Sequence, residues 1–195
     1  MITRLIFATP FFYSTRGVSE TSKKSRELRD RIKKNDDRLF EQIAEHIKNL
    51  VADGVFPHFF SPDVSLVPVP GHAPLAPGAV GTAQRIAAAL ARAGLGTMNP
   101  LLKRESRVTK SAWARGSDRP RAIEHFESLV LEASLIPSNQ FLLIDDFVTR
   151  GATFLGAASR ISTELGNSEI KCFALVRSIT DGEIEAIRQP AVGSP

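Results

Sequence analysis

Phe141-Leu142-Leu143-Ile144-Asp145-Asp146-Phe147-Val148-Thr149-Arg150-Gly151-Ala152-Thr153 is the stretch that decides how this chain is read. Its first four residues are apolar and predict a short buried strand that ends in two adjacent carboxylates. A small, hydroxyl-rich turn follows, centred on Gly151, and then a segment with helical spacing. The backbone N–H groups of such a turn, with the helix N-terminus behind them, form a cradle for a phosphate dianion. Thr149 and Thr153 add hydroxyl donors, and Gly151 lets the backbone approach a ligand without a Cβ in the way. The two carboxylates beside the cradle are acceptors for neighbouring hydroxyls, as a ribose offers them. The plainer alternative is a strand end capped by two Asp and followed by an ordinary turn.

The order of apolar strand, acidic pair, two further residues and small phosphate loop resembles the phosphoribosyl pyrophosphate (PRPP) signature of the type I phosphoribosyltransferases. The resemblance implies that Asp145 and Asp146 hold the ribose hydroxyls and that Thr149, Arg150, Gly151, Ala152 and Thr153 bind the 5-phosphate. Arg150 stands where Ser or Thr is commoner, and Phe147 replaces the usual aliphatic residue. The implied fold is α/β: an open, mostly parallel five-stranded sheet flanked by helices, with a small N-terminal hood. On that reading residues 1–63 form a strand and helical region acting as the hood, and residues 64–195 form the phosphoribosyltransferase-like core, in one compact unit.

Upstream, Leu66-Val67-Pro68-Val69-Pro70-Gly71-His72 runs from a strand into a tight turn. Open α/β folds place ligands at the carboxyl edge of the sheet, where that turn lies. In the family the corresponding turn binds pyrophosphate through exposed amides, which implicates Pro70, Gly71 and His72. His72 is either a ligand contact or simply a turn residue. The Val-Pro-Val-Pro run before a His also resembles the ComF-like branch, echoed loosely by Leu102-Lys103-Arg104, Thr109 and Arg119. That branch's cysteine-rich N-terminus is absent, and Lys110-Ser111 stand where its Gln is expected. The fold and the PRPP site therefore carry over, and a role in DNA uptake does not. The resemblance spans residues 64–177 and is tight only over the PRPP motif.

The formal net charge of +4 is unevenly placed. Residues 101–121 hold seven Lys or Arg (Lys103, Arg104, Arg107, Lys110, Arg115, Arg119, Arg121) against Glu105 and Asp118. This one segment is therefore +5 and the remainder of the chain −1. It lacks regular periodicity and contains Gly116 and Pro120, so it reads as a loop able to close over a polyanion. The family's catalytic loop lies in this part of the chain order. A solvated surface loop or a nucleic-acid patch are the alternatives. Lys103, Arg104 or Lys110 would stabilise a leaving pyrophosphate. Lys103 is the first choice because it follows directly on the short apolar Leu101-Leu102 element.

Length and composition set the remaining bounds. At 195 residues, 43% hydrophobic and 24% charged, the chain suits one soluble globular domain. The single Cys172 excludes an intramolecular disulfide and fits a reducing, cytoplasmic location. No Cys/His cluster has zinc-ligand spacing, and no segment reads as a signal peptide or bilayer span. Strands are expected over 2–8, 64–69, 101–102, 141–144 and 170–176. Leu28, Ile32, Leu39, Ile43, Ile47 and Leu50 predict helix over 19–51, broken near Asn35, its basic first half a solvated face. Thr82 caps a helix over 83–93. Phe154, Ala158, Ile161 and Leu165 give the apolar face of a helix that Gly166 ends.

The resemblance implies PRPP and a small nitrogenous acceptor as ligands, with Mg²⁺ as cofactor. A homodimer is the default assembly. Phe7, Phe11, Phe12 and Tyr13 either stack on a planar acceptor or form the hood's own core. Three functions remain open on sequence. They are a Mg-dependent phosphoribosyltransferase, a sensor that binds PRPP without turning it over, and a nucleic-acid-associated accessory protein.

Overall fold

The computed structural model describes residues 1–108, 121–132, 139–166, 168–179 and 191–193. The elements run β1 (Phe7–Thr9), β2 (Phe11–Tyr13), α1 (Glu20–Lys33), α2 (Asp37–Ala52), β3 (Ser65–Pro68), α3 (Thr82–Arg92) and β4 (Thr97–Met98). They continue with β5 (Leu102–Arg104), α4 (Ala122–Ser128), β6 (Leu129–Leu131), β7 (Gln140–Val148), α5 (Ala152–Leu165), β8 (Glu169–Ser178) and β9 (Ala191–Gly193).

One sheet has the order β4-β3-β7-β8-β1-β9, with β2 also paired to β8. Every pairing in it is parallel except β1 with β9. The α/β class and the mostly parallel sheet are as the sequence leads one to expect, but the sheet has seven strands rather than five. The expected strand near 101–102 lies outside this sheet, and β2, β4 and β9 are additions. β1 and β2 both run along β8, with Phe7 opposite Cys172 and Phe11 opposite Val176. The two are separated by Pro10, which has no N–H to give to the ladder. β9 adds the antiparallel edge. The strand expected over 2–8 starts only at Phe7, while Ile2 gives its N–H to Ser159 Oγ of α5.

The near-continuous apolar strands are explained by helices on both faces. One core packs Ile43, Ile47, Ile86 and Leu90 of α2 and α3 against Leu142, Ile144 and Phe173. The other packs Phe154, Ala158 and Ile161 of α5 against Phe141, Leu143 and Cys172. Successive residues of β7 thus alternate between the two cores, as strand geometry requires. The long helical stretch does break at Asn35, which adopts a left-handed φ of 55°. Asp36 then caps α2 by accepting from the Leu39 N–H at 3.0 Å. Strands and helices of residues 1–63 share these layers with the rest of the chain: β1 and β2 lie in the main sheet and α2 in its first core.

β5 and β6 form a separate antiparallel pair, with Lys103 opposite Val130. The basic segment leaves from one strand of this pair and returns through α4 to the other. Its residues 109–120, Lys110 among them, lie outside the described residues. Among the described residues no helix is long and apolar enough to cross a membrane.

Candidate active site

Two turns meet at the carboxyl edge of the sheet. β3 and β7 are parallel neighbours in register from Ser65–Phe141 to Pro68–Ile144, and Val69 N–H extends the ladder to Ile144 O at 2.8 Å. The chain leaves β3 through Pro70, Gly71 and His72, one strand away from where β7 delivers Asp145 and Asp146. At Gly71 an added Cβ would meet no other atom within 4 Å, so the face of this turn is open.

β7 continues beyond the predicted apolar run and carries both acids within the strand. Asp145 Oδ1 accepts from Asp146 N–H, and Asp146 Oδ1 from Phe147 N–H, each at 2.8 Å. Burial and then the neighbouring Asp146 carboxylate push the Asp145 carboxyl well above the ordinary aspartate range. The other oxygen of Asp146 receives Lys33 Nζ at 2.5 Å. Lys33 is the last residue of α1, and its ammonium also lies 4.7 Å from the centroid of the Phe147 ring. Phe147 meets Tyr13 edge-on at 6.0 Å, and Arg29 donates to the Tyr13 hydroxyl at 2.9 Å. The acids therefore stand beside a small aromatic and cationic wall built from β2, α1 and β7.

After Val148, Thr149 and Arg150 are exposed and Gly151 is buried with φ 74°. That left-handed residue is the N-cap of α5, with Ala152 and Thr153 in the first turn. A Cβ is disfavoured at this φ, which is why the position needs glycine. The first N–H groups of a 14-residue helix are thus presented next to the acid pair, the arrangement suited to an anion.

The two basic neighbours on β5 have opposite fates. Strand alternation puts Lys103 on the outside, where Nζ pairs with Glu132 at 3.0 Å and the side chain is 60% exposed. Arg104 points inward and is 3% exposed. Its Nε donates to Gly71 O, Nη1 to Ser128 Oγ and Nη2 to Pro70 O at 3.1 Å. Nη2 also lies 3.5 Å from His125 Nδ1. Burial lowers the guanidinium to about 10, opposed by the charge of Asp145. His125 is itself 4% exposed, and its Nε2 lies 3.4 Å from Thr153 Oγ1. Burial and then the Arg104 charge lower its pKa to about 4, so the ring is neutral at pH 7. His72 accepts Val108 N–H at its carbonyl, at 2.9 Å, which anchors the start of the basic segment to the Pro70–Gly71 turn.

Asp145, Asp146, Thr149, Arg150, Gly151, Ala152, Thr153, Pro70, Gly71 and His72 thus share one edge of the sheet. Lys103 is not brought to it: the side chain points to the other side of β5 from Arg104 and pairs with Glu132. Arg104 serves the turn from beneath, rather than facing outward. Lys33, His125 and Ser128 had no local signal in the sequence. Phe7 is a core residue at 4% exposure, and Phe11 packs against the α2–α3 core and stacks on His46. Only Tyr13 of the predicted aromatic group makes a described contact beside the acids.

No His/Cys/Asp/Glu group among the described residues has the three members of a self-sufficient metal site. Two adjacent carboxylates do suit a cation that keeps water and takes most of its ligands from phosphate oxygens, which is the habit of Mg²⁺.

These features describe an α/β protein whose mostly parallel sheet brings an acid pair and two turns together at its carboxyl edge. No family model and no curated protein matches the chain. Among solved structures it is similar to a hypoxanthine phosphoribosyltransferase from Staphylococcus aureus, with 11% identity over 75% of each chain and a TM-score of 0.41. It is also similar to a glutamic acid mutant from an analysis of an invariant aspartic acid in HPRTs. Identity there is 12% over 76% of this chain and 79% of that one, with a TM-score of 0.36. Likenesses this distant decide nothing about ligand or reaction, which the residues themselves must carry.

Proposed function

We propose that the chain binds PRPP with Mg²⁺ and transfers its 5-phosphoribosyl group to a nitrogenous acceptor, releasing pyrophosphate. The observation that carries this reading is the juxtaposition of the Pro70–His72 turn and the Asp145–Thr153 stretch on adjacent parallel strands. One ligand with a phosphate at each end and two hydroxyls between matches the order turn, acid pair, helix N-terminus.

On this reading Asp145 and Asp146 accept from the ribose hydroxyls, and Thr149 to Thr153 receive the 5-phosphate at the start of α5. Gly71, His72 and the Pro70 turn receive the pyrophosphate. Lys103, held only by an exposed ion pair, and Lys110 would supply positive charge to the leaving pyrophosphate. Asp145 and Asp146 would hold Mg²⁺ together with the ligand, and the ion would supply charge neutralisation. The bond from the anomeric carbon to the pyrophosphate oxygen breaks, and its electron pair leaves with pyrophosphate. A bond from the acceptor nitrogen to that carbon forms, and the proton the nitrogen loses passes to water. The protein's contribution is to hold both partners and stabilise positive charge developing on the sugar, which the adjacent carboxylates favour. Tyr13 and Phe147 beside Asp146 suit a planar acceptor.

Calorimetric titration of Mg²⁺ and PRPP into the wild type and into Asp145→Asn/Asp146→Asn tests the reading. Binding by the wild type and its loss in the double variant is expected, followed by pyrophosphate release when bases and amines are screened. A folded wild type that gives no heat overturns it. Binding without pyrophosphate release from any acceptor identifies a PRPP sensor instead.

A further inference from the structure

A buried arginine needs a reason, because taking a guanidinium out of water is costly unless each donor finds an acceptor. Arg104 meets that condition in an unusual place. Two of its acceptors are the consecutive carbonyls of Pro70 and Gly71, both in the turn assigned above to pyrophosphate. The peptide units are trans, so a carbonyl and the N–H of the same unit point in opposite directions. Pulling Pro70 O and Gly71 O inward turns the N–H groups of Gly71 and His72 outward, to the open side of the turn. Nη1 of the guanidinium reaches Ser128, and Nη2, besides Pro70 O, reaches His125 on α4, while Ser128 Oγ in turn donates to His125 O at 3.0 Å. Arg104 has only N–H donors to offer, so His125 Nδ1 is the acceptor and the ring proton sits on Nε2. That proton is directed at Thr153 Oγ1 in the first turn of α5. A hydroxyl whose oxygen is already accepting has its own hydrogen available for a ligand oxygen.

We propose that Arg104 is a positioning residue that sets both anion cradles at once. It orients the Gly71 and His72 amides directly, and through His125 it orients the Thr153 hydroxyl. The inference rests on the PRPP reading and deepens it: one interior cation prepares both phosphate ends of the ligand without touching either. A direct pyrophosphate ligand has a different profile. It acts on one end only and needs an exposed head group, which a residue 3% exposed does not have.

The test uses the two halves of the ligand as separate probes, inorganic pyrophosphate with Mg²⁺ and ribose 5-phosphate, each titrated calorimetrically into the full chain. Arg104→Met is expected to weaken both by about tenfold or more, as loss of charge-assisted contacts at each turn implies. His125→Gln is expected to weaken ribose 5-phosphate by a similar factor and leave pyrophosphate within about twofold, since it cuts only the branch to Thr153. A general loss of structure does not produce that split. Weakening of pyrophosphate alone in Arg104→Met makes Arg104 a direct ligand and overturns the proposal. If that variant fails to fold by its thermal transition, His125→Gln decides alone, and equal or absent effects on the two probes overturn the relay. A wild type that binds neither probe nor PRPP overturns the functional reading itself, an outcome distinct from wild-type binding that the variants leave unchanged.

Discussion

Lys33, at the end of α1, places its ammonium on Asp146 across 113 residues of sequence and over the ring of Phe147. This contact puts a cation beside the second acid of the pair while the first, Asp145, is held toward its neutral form by burial and by Asp146. On the PRPP reading, Lys33 and Mg²⁺ would compete for the same carboxylate oxygen. Lys33→Met is expected to lower the Mg²⁺ concentration needed for half-maximal PRPP binding several-fold. Its effect on stability is expected to stay within about 1 kcal/mol, because the lysine side chain is 55% exposed and such pairs are weak. A magnesium titration at fixed PRPP reads the first effect and thermal melting the second. A higher magnesium requirement in the variant means that Lys33 stays in place and contacts the ligand.

His125 predicts a pH dependence of stability. Its folded-state pKa of about 4 lies below the ordinary 6.5, so the unfolded chain binds the proton more tightly. Stability from this group is fully present above about pH 6.5 and is lost as the pH falls through 4. The loss amounts to at most about 3 kcal/mol. In chemical denaturation between pH 7 and 4, His125→Gln is expected to flatten the acid limb of the stability curve. An unchanged acid limb shows that other groups set it.

The contrast between Lys103 and Arg104 marks where sequence reading stops. Leu101-Leu102 reads as a strand end, after which both basic residues look like loop cations. The strand in fact continues to Arg104 because β6, some 27 residues later, pairs with it, and no local pattern announces that partner. Once the pairing exists, alternation makes one residue exposed and its neighbour interior. The acid pair, Gly151 and the start of α5 were legible because strand, turn and helix there are consecutive and each has its own local chemistry. The break at Asn35 was legible for the same reason. Lys33, His125 and Ser128 were not, since their roles come from helices packing over the sheet edge. The strand count was missed at Pro10, where one strand along β8 becomes two, at β4, at the expected 101–102 strand, which joins β6 instead, and at β9, which follows a long separation from its partner β1.

Gly156 tests how α4 is held against α5. A Cβ there would lie 2.5 Å from His125 Cβ, 2.7 Å from Ala122 O and 2.8 Å from Phe126 N. Two of these are backbone atoms, so α4 itself must move. Gly156→Ala is expected to destabilise the fold by about 1–3 kcal/mol despite the better helix propensity of alanine. It should also weaken ribose 5-phosphate binding, since His125 moves with α4. Denaturant unfolding measures the first effect, and no change there means that α4 yields without cost.

Gly71 is the opposite case. No atom beyond its chain neighbours lies within 4 Å of an added Cβ, and its φ is not left-handed. Gly71→Ala is therefore expected to fold with stability within about 0.5 kcal/mol of the wild type. The new methyl nevertheless stands in the open face of the turn, where a pyrophosphate must approach the amides closely. Affinity for Mg²⁺ and pyrophosphate is expected to fall by about tenfold or more, with ribose 5-phosphate binding unchanged because the Arg104–His125 branch is intact. The same two-probe titration reads both values. Undiminished pyrophosphate binding in a folded Gly71→Ala protein places that anion elsewhere on the sheet edge and removes this turn from the site.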